Sequence, residues 1–316
     1  MKNKQQAPSI KFSLIISIVM GVLLPLCIAL FVLCVLMQHT ISTNIAESHQ
    51  MMFDQNIREI DSAILQCNYV SSAMITYTEN NGLLKHYYQA ENEYERNVAV
   101  TKIREMLLNC NVTNLASFGG QMMILMDDGL LISSEKAVST GSSLENQEWL
   151  KRVREGKTNP YWDPEIEKLF DPVNPENYVT FGRELTHYGQ QVYGYALIAI
   201  PKELFIQFPN DIRYQKGKLF MFSPDERLLT GACEHYSEEE LDQILQKWKD
   251  KNFKNGIYND CYVLGTRLSS GNNTVLYVGN RHAIFERSEQ ILYYLSILMI
   301  VITVISIVIT RYISLY

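Results

Sequence analysis

The chain has 316 residues, 28 Lys and Arg against 34 Asp and Glu, a formal net charge of −6, and 47% apolar residues. All of the acids but only 24 of the basic residues fall in the 253 residues 38–290, and this acidic balance argues against nucleic acid or an anionic lipid surface as partner. The apolar content and the 19 tyrosines exclude a disordered stalk, and the length suits two modest domains or one large one.

Residues 1–11 form a basic tail with Lys2, Lys4 and Lys11, and residues 12–37 follow without a charge. Residues 291–310 are equally uncharged and lead to Arg311. At 1.5 Å per helical residue, runs of 26 and 20 residues reach about 39 and 30 Å, enough for a hydrocarbon core of about 30 Å. Basic flanks mark the cytoplasmic side, so two spans place residues 38–290 outside the cell, in a two-pass protein of the plasma membrane. The first run is too long for a signal-peptide core and lacks a small-residue cleavage site, so it is expected to stay as an anchor.

Residues 41–77 contain neither Pro nor Gly, and Phe53, Ile57, Ile60, Ile64, Cys67, Ser71 and Met74 recur at 4-3 spacing. This predicts a long helix whose seam packs either on its own domain or on a second copy of the chain. A second helix is expected over 93–109, with Val98, Ile103, Met106 and Leu107 apolar. Residues 121–126 and 130–133 read as strands joined at Asp127-Asp128-Gly129, where the paired carboxylates suit a tight turn better than catalysis. A helix over 143–155, capped by Ser142 or Ser143 and stopped by Gly156, precedes a Pro-rich loop that holds Tyr161 and Trp162. Residues 178–185 and 191–200 form a second antiparallel pair turned at Tyr188-Gly189, and Pro201 opens a short helix through Phe208.

The pattern then recurs in shorter form. Strands at 218–222 and 227–230 flank the turn 223–226, a helix over 237–251 carries Ser237 and Glu240 in capping-box spacing, and strands at 258–268 and 274–279 surround the turn 270–273. Two successive units of hairpin, helix and hairpin predict two α+β modules, residues 38–208 and 209–290.

Four cysteines face the oxidising side. Cys67 and Cys110 fall in the first module and Cys233 and Cys261 in the second, so two local disulfides and free buried thiols are both open. No C-x-x-C pair or Cys/His cluster suggests a metal, and no G-x-S-x-G, H-E-x-x-H or Walker A motif suggests an enzyme or a cofactor.

The basic tail, the span, the long helix, the hairpin MMILMDDGLLISS, the segment EWLKRVREGKTNPYW, the segment YVTFGRELTHYGQQVYGYALIAIPKEL, a smaller second unit and a second span together resemble double Cache sensor regions, in particular those of YesM-type sensor histidine kinases of Gram-positive bacteria. The resemblance implies an α+β fold in which two transmembrane helices flank an extracellular, PAS-like double Cache domain on a long N-terminal stalk helix. It implies a homodimer that senses a small extracellular solute and signals by helix movement. Residues 310–316, TRYISLY, look like the start of a HAMP linker, and no phosphoacceptor-His or ATP-binding segment follows. The chain is therefore expected to be a sensor region truncated after its second span, reaching a response regulator only through a kinase module outside this sequence. In such a region the ligand pocket would lie in the membrane-distal module. Trp149, Tyr161 and Trp162 are then candidate walls, Arg183 and Arg152 candidate cations for an anionic ligand group, and Tyr193 and Tyr195 neighbours on the adjoining strand. Plainer readings compete, with Trp149 as core, Trp162 as a pin for its loop, and Arg183 paired with Glu184 or Asp163. A ligand-free scaffold and the sensor region of a chemoreceptor are the alternatives for the whole.

Overall fold

The computed structural model describes residues 21, 24–139, 148–155, 160–170, 177–187, 191–206, 217–230, 236–250 and 255–315. They fall into two units, Met1–Met51 with Asn280–Tyr316, and Met52–Gly279. Helix α1, Leu24–Asn81, contributes to both. It ends at Gly82, whose φ of 61° is a left-handed conformation that glycine adopts without steric cost.

In the first unit the apolar side chains of α1 face outward, with Phe31 and Leu36 about 60% exposed. Helix α8, Arg281–Leu315, is the other part of this unit and likewise exposes Tyr293, Ile300 and Val308. Among the described residues one helix is long and apolar enough to cross a membrane, near the N-terminus, and the apolar stretch Glu289–Ile305 of α8 is shorter.

The second unit is built on the rest of α1. Six of the seven residues of the 4-3 seam are buried inside the chain, Phe53, Ile60, Ile64, Cys67, Ser71 and Met74 at or near zero exposure, with Ile57 half-buried, so these six form an intramolecular seam and not a dimer seam. The opposite face shows Leu65, Tyr69 and Tyr77, each more than half exposed. Helix α2, Leu83–Gln89, was not expected from the sequence. Helix α3, Glu93–Cys110, was expected, and starts where Asn92 Oδ1 accepts from Glu95 N at 2.9 Å. It buries Ala99, Ile103 and Leu107, while Val98 faces solvent.

The first sheet has six antiparallel strands in the order β3-β2-β1-β6-β5-β4: β1 Gln121–Met126, β2 Leu130–Ile132, β3 Ala137–Ser139, β4 Tyr161–Trp162, β5 Tyr178–His187 and β6 Gln191–Pro201. The Asp-Asp-Gly turn closes as expected. Gly129 has φ 85°, its N–H donates to Met126 O at 3.0 Å, and Asp128 Oδ1 accepts from Leu130 N. Between β3 and β4 lies α4, Glu148–Glu155; the expected caps Ser142 and Ser143 lie outside the described residues. Helices α5, Glu167–Phe170, and α6, Glu203–Ile206, are single turns beside the sheet.

The second sheet, of four strands, runs β7-β10-β9-β8: β7 Gly217–Phe222, β8 Gly256–Tyr258, β9 Cys261–Arg267 and β10 Thr274–Asn280. Helix α7, Glu238–Lys249, covers it through Leu241, Ile244 and Leu245 against Phe220, Phe222, Val263, Leu276 and Val278. Its capping box forms, with Ser237 and Glu240 exchanging hydrogen bonds. Two expectations fail here. Residues 227–230 make one bridge, Phe222 with Leu228: the Leu229 N–H donates to Met221 O, but the Met221 N–H goes to the Thr230 hydroxyl and not to a backbone carbonyl. The run 258–268 is broken at Asn259, whose φ of 52° makes a turn, so β8 folds back on β9.

Both modules hold α1 through polar bonds. The second module's β9–β10 turn binds Asp61 through the N–H and hydroxyl of Ser270 and the hydroxyl of Ser269, and Asn68 Nδ2 donates to Ser270 O at 3.0 Å. Burial raises the Asp61 pKa, but the hydrogen bonds from Ser269 and Ser270 outweigh it and leave the carboxyl below its ordinary 3.8. A depressed folded-state pKa contributes stability above the unfolded value and loses it as pH falls through the folded one. The stability advantage of wild type over Asp61→Asn should therefore be full at neutral pH and disappear as denaturation midpoints are measured below pH 3.8.

Cys67, Cys110 and Cys261 are free thiols, and Cys233 lies outside the described residues. The bridge open to Cys67 and Cys110 is not formed. Cys67 packs at 0% exposure in the helix seam as a small apolar side chain, and burial pushes its thiol up to about 12.

Candidate functional site

Strand alternation sorts the predicted site residues onto opposite faces of the first sheet. Register places Tyr161, Gly182, Leu197 and Met123 in one row across β4, β5, β6 and β1, with Glu184, Tyr195 and Leu125 in the next row of that face. Trp162, Phe181, Ile198 and Met122 form a row on the other face, and Arg183, Ala196 and Ile124 lie beside them. Tyr161 and Tyr195 thus share a face, while Trp162 and Arg183 belong to the face toward α1.

On the first face, Trp149 and Leu150 of α4 pack with Tyr161, Ile166, Tyr195, Leu197 and Leu125. Trp149, Tyr161 and Tyr195 come together in this core, exposed by 1, 7 and 1%. At the edge of this cluster Arg152 reaches Asp163, with Nη2 at 2.9 Å and Nε at 3.2 Å from Oδ2, and Glu165 at 3.2 Å.

Asp163 is the centre of the arrangement and was missed as such. It has no exposed surface, and its Oδ2 also accepts from Arg227 Nη1 at 2.8 Å and Tyr161 Oη at 3.3 Å, while Oδ1 accepts from Glu165 N at 2.9 Å. Arg227 comes from the second module. Its guanidinium also binds Asp225 and the Tyr161 hydroxyl, and lies 5.1 Å over the Tyr161 ring. Burial opposes the charge on Arg227, but the bonds to Tyr161, Asp225 and Asp163 prevail and hold it more firmly protonated than a free arginine. For Arg152 too, burial opposes the charge, and Asp163 reverses the balance. For Tyr161 burial dominates and raises the phenol despite Arg227. Two arginines therefore face Asp163, Asp225 and Glu165, so the cluster carries its own counter-charges.

The remaining predicted residues lie elsewhere. Arg183 donates to Ser71 Oγ at 3.0 Å, Ser72 Oγ at 2.6 Å and Asn68 O at 3.3 Å, all on α1. Burial lowers its pKa. Trp162 packs on Phe181, ring centres 4.6 Å apart, in support of the plainer reading that it pins its segment. Tyr193 is the extra residue of a β-bulge, since Leu185 pairs with Gly194 and Thr186 with Val192. Its ring leaves the Tyr195 row and stacks on Tyr88 at 5.4 Å. A groove of about 690 Å³ lies at the α2–α3 corner, lined by Tyr87, Asn92, Arg96 and Asp128 among others, none of them a predicted site residue.

No protein-family model matches the chain, and no curated protein matches it. Similar solved structures include the ligand-binding domain of Mlp24 with asparagine, 13% identical, covering 80% of this chain and 99% of that one with a TM-score of 0.48. The extracellular domain of a candidate histidine kinase, rpHK1S-Z16, is 13% identical over 76% and 97% of the two chains, with a TM-score of 0.48. The ligand-binding domain of the Pseudomonas aeruginosa PAO1 amino acid chemoreceptor PctB, in complex with L-Gln, is 14% identical over 73% and 91%, with a TM-score of 0.42.

Proposed function

We propose that this chain is the input region of a membrane receptor that senses a small extracellular solute and reports it by movement of α1 and α8. The observation that carries the reading is α1 itself. One continuous helix contains an exposed apolar stretch of membrane length and the buried seam on which the two-module unit is built. A solute bound by the modules acts on a helix that enters the bilayer, and it shifts the output by its difference in affinity between two arrangements of that helix. On this reading α8 is the second span, residues 38–290 are extracellular, the modules are Cache domains, and the output is a YesM-type histidine kinase acting on a response regulator. Pairing of two copies uses a surface other than the 4-3 seam.

The solute site we place over the first face of the six-stranded sheet, with Trp149, Tyr161 and Tyr195 beneath it and Arg152, whose side chain is 39% exposed, at its rim. Because both arginines are matched by carboxylates, this part of the site favours a neutral or zwitterionic solute over a simple anion. The test is a thermal-shift titration of the full chain in lipid nanodiscs against amino acids, short carboxylates and sugars. At least one solute should raise the melting temperature, Arg152→Ala should remove that shift, and Arg183→Ala, on the other face, should keep it. If no solute acts on a well-folded chain, or Arg183→Ala alone removes the shift, the assignment is wrong.

A further inference from the structure

Where α1, β4 and the β9–β10 turn meet, four buried side-chain atoms have no hydrogen-bond partner: Asn68 Oδ1, Trp162 Nε1, and both Oδ1 and Nδ2 of Asn273. Asn273 is 0% exposed and Trp162 2%. A buried donor or acceptor left unmatched is destabilising, so four in one region are not expected of a stable fold unless something else satisfies them. The Asn273 and Trp162 atoms are close to one another. A point one Cβ bond from Gly271 lies 2.5 Å from Asn273 Oδ1 and 3.6 Å from Trp162 Nε1, although the two do not bond directly. Asn68 reaches the same turn, since its Nδ2 donates to Ser270 O at 3.0 Å.

We propose that this joint binds one small, neutral, hydroxylic molecule, water in the free protein, between Trp162 and Asn273. The chemistry of the four atoms sets the class. Trp162 Nε1 and Asn273 Nδ2 only donate, and the two carboxamide oxygens only accept, so the occupant must do both. None is charged, so nothing in the set would compensate an ion. A buried water commonly makes two to four such bonds, which is what this set offers. Its place gives it a role. Trp162 belongs to the first module and Asn273 to the second, so the occupant joins the two by bonds that can be exchanged without opening an apolar contact.

The test is water-to-indole cross-relaxation by NMR on the full chain in detergent micelles, with its three tryptophans labelled with nitrogen-15. Assignment by Trp149→Phe and Trp248→Phe leaves the joint intact. The Trp162 indole proton should show a water cross-peak with the sign of a long-lived bound molecule. Asn273→Leu should abolish it. Gly271→Ala, whose Cβ intrudes on Asn273 Oδ1, should weaken it several-fold and serves if the leucine variant does not fold. A wild-type Trp162 without such a cross-peak, or one unchanged in a folded Asn273→Leu or Gly271→Ala chain, overturns the proposal.

Discussion

Asp163→Ala is expected to lower the stability of the Met52–Gly279 unit by about 3 kcal/mol, measured by denaturant unfolding of the full chain in micelles. The carboxylate is fully buried and receives bonds from Arg152, Arg227, Tyr161 and the Glu165 N–H. Its loss removes several charge-assisted bonds and leaves two guanidinium groups facing each other. Those groups are 39 and 30% exposed and can draw on water, which keeps the figure at the low end for a broken buried pair. Removing one arginine at a time leaves the carboxylate the other guanidinium, and each should cost about 1–2 kcal/mol. The Arg152→Ala/Arg227→Ala double variant buries an uncompensated charge and should cost more than the two singles added. Strict additivity would show that Asp163 does not couple the modules.

The second large effect is expected at Lys202. Its Nζ lies 3.3 Å from both Glu167 oxygens, and the pair is almost completely buried, 7 and 5% exposed at the side chains. Glu167 Oε1 also accepts from Tyr178 N at 2.7 Å, which ties α5 to the start of β5. Lys202→Ala strands a buried carboxylate and should cost about 3–5 kcal/mol. Lys202→Met with Glu167→Gln removes both charges, fills the lysine's volume and keeps an acceptor for Tyr178, so it should recover most of that loss. Glu167→Met with Lys202→Met should recover less, because the Tyr178 N–H is left unmatched. If the Gln/Met pair is no better than Lys202→Ala, the pair contributes through packing and not through its charge balance.

Local patterns in the sequence carried well into the structure. The hairpin at Asp127-Asp128-Gly129, the capping box of Ser237 and Glu240, and the uninterrupted α1 each depend on residues a few positions apart, and each forms. The site did not carry over as well, for a specific reason. Tyr161 and Trp162 were read as part of a loop, where neighbouring side chains have no fixed sides. As strand β4 paired with β5, they must point to opposite faces, which separates Trp162 and Arg183 from Tyr161 and Tyr195. Tyr193 was misplaced by a bulge that no local signal announces. Arg227, 64 residues from Asp163, sits in a turn whose acid and base look like ordinary surface charges. Only the packing of the second module on the first reveals its partner. Both readings of the long seam were open in the sequence, because intramolecular and intermolecular helix contacts call for the same 4-3 spacing.

The central claim is that a solute bound over the first face of the six-stranded sheet is felt by α1. The direct measurement is hydrogen–deuterium exchange of the full chain in nanodiscs, with and without whichever solute raises its melting temperature. The account predicts slower exchange in α4 and β4, where the solute binds, together with a change in α1 between Asp61 and Ser72, where the Ser270 and Arg183 bonds hold the helix. Protection confined to the α2–α3 corner, or binding that leaves this stretch of α1 unaltered, would contradict it.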